Sequence, residues 1–479
     1  MVTLEAGTQL SWIPPVVPEL AISQRGDWWL CLNPRVPAWF VTNRAGTLLM
    51  QLPDGRRSLD DISALLGGAG IQVSPAHVAD FFETVRAAKF FDDGVDPDDP
   101  LLHWEDRGVS AVHLHLTNRC NLECIYCFRE STPRLAVHYT ADHFIDALRR
   151  MAPRATRGLT VTFTGGEPLL FPGFESVVEA SSELGYTNVL LTNGTLITPE
   201  RAAFIADHFQ DVTISLDGPN ESIHAATRGA GNFKGVIRGI HRLHEAGVKV
   251  RVKITVAQSN LSHVHEIAEV LPEGVAAQCV PLMPMGRGQQ VPETSYIDNE
   301  AFAGLHRGLA RVSEGRLQSQ FVPGQRSRRC HAGAYNVSIA DTGDVYPCHL
   351  FHQPQFKLGN IFEETFDAIF DGPRNREYVA SMDVEANNSV CAQCAIRFLC
   401  GGGCKANALH SSGDHHGVDR YCGYLKSTIG DDLFQSCGVE TENTEPQLPP
   451  PPSVRVPVML GAIGRRSADR EDDVTSTSA

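Results

Sequence analysis

The chain has 479 residues, of which 42% are hydrophobic and 20% charged, as expected of a globular protein with two or three folded units. Lys and Arg number 41 against 56 Asp and Glu, and the net charge of −15 disfavours nucleic acid and anionic membranes as partners. Apolar runs stay below the ~18 residues of a membrane span, and the first residues lack signal-peptide character. We therefore predict a cytoplasmic protein whose thirteen cysteines bind metal rather than form disulfides.

Residues 1–95 are predicted to form a small winged-helix-like domain. Apolar segments at 28–32 and 39–42 indicate two strands separated by a turn. Two helices should follow, one capped by Ser58 and one capped by Ser74, which a proline follows at the first helical position. An acidic, proline-containing stretch then predicts an exposed linker at 92–100.

The pattern changes over residues 108–300, where short apolar segments alternate with helix-length ones. The predicted strands lie at 112–116, 159–164, 188–192, 212–216, 250–256 and 277–282. Such alternation predicts parallel strands with right-handed crossovers, and six units form an open, partial (β/α)6 barrel. The fold class is therefore α/β, with the chemistry expected at the carboxyl ends of the strands.

Three cysteines follow the first barrel strand in a C-x3-C-x2-C spacing: Cys120, Cys124 and Cys127. Three thiolates this close can bind three irons of a 4Fe-4S cluster and leave the fourth iron open to a substrate or cofactor. On spacing alone, a zinc knuckle that lacks its fourth ligand and a set of unpaired thiols are the alternatives.

Polar loops follow the next three strands. Gly165, Gly166 and Glu167 come after the second strand, Asn193 after the third, and Ser215 ends the fourth, two residues before an aspartate. The glycines permit close backbone approach to a ligand, and the carboxylate can receive a cationic amine. Each loop alone indicates a turn, but four such loops at one end of a parallel sheet predict a ligand site.

Residues 110–290 resemble the radical S-adenosylmethionine (radical SAM) enzymes. The matching motifs are the cysteine loop, including Tyr126, and the glycine-glycine-glutamate loop, which in that family contacts the methionyl amino group. The resemblance implies that Asn193, Ser215 and Arg228 contact the ribose or the carboxylate of the cofactor, although a solvated surface position is the alternative for Arg228. It also implies a 5′-deoxyadenosyl radical that abstracts hydrogen, and a reducing electron donor such as flavodoxin or ferredoxin.

A second set of cysteines occupies residues 320–440. Its members are Cys330, Cys348, Cys391, Cys394, Cys400, Cys404 and Cys422. Their order resembles the SPASM extension of peptide-modifying radical SAM enzymes. That resemblance implies one auxiliary 4Fe-4S cluster on Cys391, Cys394, Cys400 and Cys422, and another on Cys330, Cys348 and Cys404.

The second auxiliary cluster lacks a fourth thiolate in this assignment. Its fourth iron is either open or bound by Cys279, Cys437, His331 or His349, although Cys279 lies in an apolar strand and is better explained as a core residue. Two zinc-ribbon sites are the alternative for the whole set.

The N-terminal domain resembles the PqqD-like peptide-recognition domains of ribosomal peptide biosynthesis, through its order of elements and the segment 40–62. The resemblance implies that an exposed strand edge pairs with the leader of a precursor peptide. A generic winged helix with a structural or DNA-binding role is the alternative, which the negative net charge disfavours.

Together these features predict a peptide maturase that abstracts hydrogen and forms a thioether, a carbon-carbon or ether cross-link, or a decarboxylated product. The alternatives are a sulfatase maturase that forms formylglycine and a non-catalytic zinc-ribbon adaptor. No catalytic residue can be assigned, since Asp217 and the segment 410–416, with its three histidines, are both better explained as turns. A proline run predicts a disordered tail at 441–479.

Overall fold

The computed structural model describes residues 10–36, 38–71, 73–91, 108–312, 317–319, 329–439 and 458–460. The linker expected at 92–100 and most of the tail expected at 441–479 lie outside the described residues. Within them, no helix is both long enough and apolar enough to cross a membrane.

The N-terminal domain consists of three antiparallel strands followed by three helices. These are β1 (Ala21–Arg25), β2 (Trp28–Asn33), β3 (Ala38–Thr42), α1 (Arg44–Gln51), α2 (Leu59–Gly68) and α3 (Pro75–Ala87). The Ser58 capping box and the Ser74 cap are confirmed. The prediction of two strands omitted β1, because its sequence, AISQR, is too polar to give a strand signal.

The two faces of this small sheet bury different partners. One face packs with the helices around Phe40, Phe82 and Val85, all of which are fully buried. The other carries Leu30 and Trp39 against the C-terminal part of the chain. The domain is therefore joined to the cysteine-rich region by an apolar interface.

The barrel strands lie within about four residues of the predicted positions. The elements are β4 (Val109–Thr117), α4 (Ala141–Met151), β5 (Ala155–Gly165), α5 (Phe174–Glu183), β6 (Thr187–Thr192), α6 (Pro199–His208), β7 (Asp211–Ser215), α7 (Glu221–Arg228), α8 (Phe233–Glu245), β8 (Val250–Val256), α9 (Ile267–Val270), β9 (Ala276–Pro281), α10 (Asn299–Val312) and β10 (Leu317–Ser319). Consecutive strands pair in parallel from β4 to β10. The carboxyl ends of all these strands therefore share one edge.

The cysteine-rich region continues this sheet. Its elements are β11 (Asn336–Ile339), β12 (Asp344–Tyr346), β13 (Gly359–Asn360), α11 (Phe366–Phe370), α12 (Pro373–Ser381), α13 (Ser389–Ala392), α14 (Arg397–Cys400), α15 (Lys405–Ser412) and α16 (Cys422–Ser436). Strand β11 pairs in parallel with β4, and the ten strands have the order β10-β9-β8-β7-β6-β5-β4-β11-β12-β13. The barrel and the cysteine-rich region thus share a sheet.

One segment of the expected tail is ordered. Strand β14 (Val458–Leu460) pairs antiparallel with β3 and completes the order β1-β2-β3-β14. The prediction of a wholly disordered tail is therefore wrong at this segment, because the open edge of β3 supplies backbone hydrogen-bond partners that no local sequence signal reveals.

Candidate functional site

The first three cysteines lie together in the loop after β4. The Sγ of Cys120 accepts a hydrogen bond from the backbone N–H of Leu122 at 3.4 Å. Burial raises the pKa of the Cys120 thiol to about 12, and the charges of Cys124 and Cys127 act in the same direction. All three thiols are free of disulfides. Three thiols of one loop, of which Cys120 is buried and the other two are half-buried, fit an iron-sulfur cluster, because cationic irons favour the thiolate that burial alone disfavours.

Arg287, after β9, fixes the backbone of this loop. Its Nε donates to the carbonyl of Cys124 at 2.8 Å, and its backbone N–H donates to the carbonyl of Cys127 at 3.1 Å. The neighbouring Gly286 has φ +51°, and a Cβ there would lie 2.5 Å from the Phe128 carbonyl. The sequence analysis missed both residues, since neither belongs to a motif.

The two glycines after β5 are required by the chain itself. Gly165 has φ +131°, and a Cβ on it would lie 2.2 Å from the carbonyl oxygen of Thr117. A Cβ on Gly166 would lie 2.3 Å from the carbonyl oxygen of Arg119. The loops after β4 and β5 therefore pass too close together for any side chain, which brings the glycine loop beside the cysteine loop.

Glu167 is fully buried and accepts three hydrogen bonds from the protein. Its Oε1 accepts from Leu169 N at 3.1 Å and from Thr192 Oγ1 at 2.8 Å, and its Oε2 accepts from Asn193 N at 2.9 Å. Burial raises its pKa, and these hydrogen bonds oppose that effect. The carboxylate thus joins the loops after β5 and β6.

Asn193 connects the β6 loop to the cysteine loop. Its Nδ2 donates to Asn121 Oδ1 at 2.8 Å and lies 3.8 Å from Cys120 Sγ. Ser215 ends β7, half-buried, and pairs in register with Lys253 of β8. Both predicted cofactor residues therefore lie at the edge of the sheet that carries the cysteines.

Asp217 is the main residue that the sequence analysis undervalued. It is fully buried and accepts hydrogen bonds from Tyr126, Thr227, Arg228 and the backbone N–H of Thr255. The Nε of Arg228 lies 2.7 Å from its Oδ2. The carboxylate therefore links the cysteine loop, α7 and β8, whereas a turn-forming aspartate would contact only its own loop.

Arg228 is buried, so the surface position considered for it is wrong. Its guanidinium lies 5.4 Å from the centre of the Tyr126 ring. Burial opposes its charge, but Asp217 more than compensates, and the pKa of Arg228 is raised. A permanent cation consequently lies beside Cys124, whose pKa it lowers against the larger effect of burial.

The barrel interior contains histidines that the sequence analysis did not identify. Val112 and Leu114 of β4 pack toward the helices, so His113 and His115 of the same strand point inward. The ring centres of His113 and His349 are 4.2 Å apart, and those of His115 and His352 are 4.7 Å apart. Burial lowers the pKa of His113 to about 4, with Lys253 acting in the same direction. Such imidazoles are neutral at pH 7.

Four of the later cysteines line one pocket, as their assignment to one cluster requires. Cys391, Cys394, Cys400 and Cys422 all line this pocket. The backbone N–H groups of Gly402 and Gly403 point at the Cys400 thiol and oppose the effect of burial, which raises its pKa to about 12. Gly402 and Gly403 have φ values of +84° and +70°. Four thiols and two N–H donors fit a 4Fe-4S cluster.

Cys330, Cys348 and Cys404 form a separate set. Burial raises the pKa of Cys404, and the charges of the other two thiols add to this effect. The backbone N–H groups of Leu350 and His349 point at Cys348. This grouping also fits a cluster, with one iron lacking a cysteine.

Two of the four suggested fourth ligands lie elsewhere. Cys279 is in the barrel core on β9, and Cys437 packs with Leu30 and Trp39 at the interface with the N-terminal sheet. His349 Nδ1 is 3.6 Å from the Sγ of Cys348, but its ring stacks on His113 in the barrel. His331 packs edge-on against the ring of Tyr335.

The histidine-rich segment at 410–416 is only in part the expected turn, because His410 lies in helix α15 and the turn follows Ser412. The backbone N–H of His416 donates to Asp414 Oδ1 at 2.9 Å, and the ligand atoms of Asp414, His415 and His416 lie within 4.8 Å of one another. His410 contacts Gln289 and Gln353 instead. The turn explains the local sequence without a metal.

Two family models match the chain in the regions just described. The radical SAM superfamily model matches residues 114–271, and the model of the SPASM iron-sulfur cluster-binding domain matches residues 330–395. The chain contains a radical SAM domain and a SPASM domain. It is therefore an enzyme that binds 4Fe-4S clusters and S-adenosylmethionine, and the zinc-ribbon adaptor is excluded.

Several curated proteins are similar to this chain. The antilisterial bacteriocin subtilosin biosynthesis protein AlbA of Bacillus subtilis is 27% identical over 67% of this chain and 72% of its own length. The AdoMet-dependent heme synthase of Methanosarcina barkeri is 29% identical over 64% and 95%, respectively. The mycofactocin maturase MftC of Mycolicibacterium smegmatis is 29% identical over 68% and 87%.

A solved structure supports the fold of this chain beyond the two matched domains. Streptococcus suis SuiB bound to S-adenosylmethionine superimposes with a TM-score of 0.55 at 15% identity, covering 85% of this chain and 98% of SuiB. SuiB has also been solved with its precursor peptide SuiA bound.

Proposed function

We propose that this radical SAM/SPASM enzyme modifies a ribosomally made peptide, whose leader binds the N-terminal domain and whose core segment enters the barrel. The observation that carries the proposal is the edge of β3, which accepts an antiparallel strand, β14. An edge that pairs with one extended segment has the geometry to pair with another. The names of AlbA and MftC, and the peptide complex of SuiB, agree with a peptide substrate.

Cys120, Cys124 and Cys127 bind the cluster that holds S-adenosylmethionine. The residues around it are Gly165, Gly166, Glu167, Asn193, Ser215, Arg228 and Tyr126. When bound, the cluster and its cofactor supply a 5′-deoxyadenosyl radical that abstracts hydrogen from carbon. The buried Asp217–Arg228 pair positions Tyr126 and the cysteine loop, while Glu167 sets the spacing of the two loops beside it.

The barrel interior holds the peptide and keeps water away from the reacting carbon. His115 is buried and His113 is half-buried there, and both imidazoles are neutral. Both ring nitrogens of His115 lack a hydrogen-bond partner among the described residues. A neutral imidazole can accept a proton or donate a hydrogen bond to a peptide group. We assign no catalytic base. The product is a peptide with a thioether, with a carbon-carbon or ether cross-link, or with a decarboxylated residue.

The auxiliary clusters are assigned to the thiols of the SPASM domain. Cys391, Cys394, Cys400 and Cys422 bind one, and Cys330, Cys348 and Cys404 bind the other. A reducing protein such as flavodoxin or ferredoxin is the expected electron donor, and its site is not assigned to any surface.

The test is the mass of the short peptide encoded beside this gene after co-expression with the enzyme. The control enzyme carries Cys120→Ala, Cys124→Ala and Cys127→Ala. A loss of two hydrogens only with the wild type supports an oxidative cross-link, and a loss of carbon dioxide supports decarboxylation. An unchanged mass with both enzymes contradicts these outcomes and directs the next assay to a sulfatase-type peptide and to a porphyrin, since a heme synthase is among the relatives.

A further inference from the structure

Tyr378 of α12 lies near the two loops that carry Cys330 and Cys348. Its side chain is 8% exposed, and its hydroxyl has no hydrogen-bond partner among the described residues. A buried phenol normally finds a partner, because an unmade hydrogen bond costs about 1–3 kcal/mol. The orphaned hydroxyl therefore indicates that a group absent from the protein itself completes its surroundings.

Two loops and a helix fix the position of the ring. Its Cδ1 lies 3.2 Å from the point where a Cβ on Gly333 would stand, three residues after Cys330. On the other side the ring centre is 5.7 Å from that of Phe351, three residues after Cys348. Asn375, one turn earlier in α12, donates to the Gly333 carbonyl at 2.8 Å. Helix α12 is thus attached to the loop of Cys330, and the phenol lies between the two cysteine loops.

The surroundings of Tyr378 distinguish it from the histidines near these cysteines. Burial raises its pKa well above the usual value, and the nearby thiols of Cys330, Cys348 and Cys404 raise it further, so that all three lie within electrostatic reach. The neighbours of His349 are instead His113, Lys253 and His352 in the barrel interior. The ring of Tyr378 lies against residues of both the Cys330 and the Cys348 loops, whereas the ring of His349 packs against His113 in the barrel.

We propose that the phenol oxygen of Tyr378 is the fourth protein ligand of the auxiliary cluster bound by Cys330, Cys348 and Cys404. Binding forms an oxygen-iron bond at the iron without a thiolate and releases the phenol proton to solvent, with no change in the number of electrons. Phenolate is a hard ligand suited to iron, as in tyrosine-ligated haem. The cluster is then closed to exogenous ligands, unlike the one that holds S-adenosylmethionine. The inference rests on the proposed assignment of the three cysteines.

The test uses full-length protein reconstituted anaerobically with iron and sulfide, in a Cys120→Ala, Cys124→Ala, Cys127→Ala background that leaves only auxiliary signals. Iron content and the electron paramagnetic resonance (EPR) spectrum of the reduced protein are measured with and without 2-mercaptoethanol. Tyr378→Phe should retain its iron and show a thiol-dependent shift of the spectrum that the Tyr378 protein lacks. Tyr186→Phe, whose hydroxyl donates to the Leu148 carbonyl in the barrel, is the matched control.

Three results would overturn the inference. The first is a thiol-dependent shift of the EPR spectrum that is equal with and without Tyr378, and the second is no shift in either protein. The third is a changed reduction potential in Tyr378→Phe without sensitivity to the thiol, which would indicate a hydrogen bond from Tyr378 to the cluster. If Tyr378→Phe loses the iron of this cluster, Tyr378→Cys should restore both the iron content and the resistance of the spectrum to the thiol. A Tyr378→Cys protein that restores neither property also contradicts the proposal. Cys330→Ala, Cys348→Ala, Cys404→Ala tests the cluster assignment separately, since it should remove about half of the remaining iron.

Discussion

Two sets of three cysteines in this protein have different surroundings. Cys120, Cys124 and Cys127 lie near the buried Asp217–Arg228 pair. Near Cys330, Cys348 and Cys404 lie the aromatic rings of Phe351 and Tyr378, whose hydroxyl has no partner among the described residues, and the carboxylate of Asp419, which accepts from the backbone N–H of Cys404. On the proposed assignment, three thiolates leave one iron of each cluster without a cysteine. What that iron binds is therefore decided by the neighbouring residues and not by the number of cysteines.

The largest expected effect is on cleavage of S-adenosylmethionine, which should depend on the first set of three cysteines and not on the second. Replacing Cys120, Cys124 and Cys127 with alanine should abolish cleavage of S-adenosylmethionine and remove about a third of the iron. Replacing Cys330, Cys348 and Cys404 should remove a similar amount of iron yet preserve reductive cleavage of the cofactor. Chromatographic detection of 5′-deoxyadenosine and iron analysis check both; equal loss of cleavage in the two variants would contradict the distinction.

Asp217→Asn tests the charged surroundings of the first set. Removal of one partner leaves Arg228 buried and unpaired, so the free energy of unfolding should fall by about 3–5 kcal/mol, with weaker binding of S-adenosylmethionine. Asp211→Asn is the matched control, because Asp211 begins β7, the strand before Asp217, and pairs with the half-exposed Arg251 of β8. That control should cost less than about 1 kcal/mol. Chemical denaturation and cofactor titration measure the difference, and equal losses would refute a special role for Asp217.

The histidines of the barrel interior predict a pH dependence. Unfolded His113 gains a proton below its usual pKa of 6.5, whereas the folded imidazole stays neutral to about pH 4. The unfolded state then binds more protons, so stability is fully present above pH 6.5 and falls as the pH drops toward 4, by about 1.4 kcal/mol per pH unit. His113→Gln should reduce this slope relative to an exposed control, His241→Gln. A slope unchanged by His113→Gln would show that His113 is protonated in the folded protein.

The smallest effect is expected at the N-terminal sheet, which contains neither cysteine set. A chain ending at Val439 lacks β14, which leaves the edge of β3 open. A leader peptide then binds this edge without competition from β14. Loss of three paired residues corresponds to ~1 kcal/mol, or about a fivefold gain in leader affinity. Fluorescence anisotropy with a labelled leader measures this gain. Binding that is equally tight or weaker after truncation would argue against the β3 edge as the leader site.

Much of the fold could be predicted from local patterns. The six barrel strands were found because parallel strands such as β6 and β8, in which buried residues alternate with less buried ones, are short segments rich in apolar residues with turns at both ends. The caps at Ser58 and Ser74 were found because capping depends on residues three positions apart. Strands β11 to β13 were missed because two to four residues are too few for a periodic pattern.

The sequence by itself determined the chemistry of the cofactor end, because cysteine spacing and glycine motifs specify which ligands one loop can present. Only the tertiary structure decided the surroundings of those ligands. Tyr126 and Asp217 are separated by 91 positions in the chain, and Cys330 and Tyr378 by 48, so no local pattern links either pair. Burial and charge act through space, and they depend on how the sheet and helices bring distant residues together.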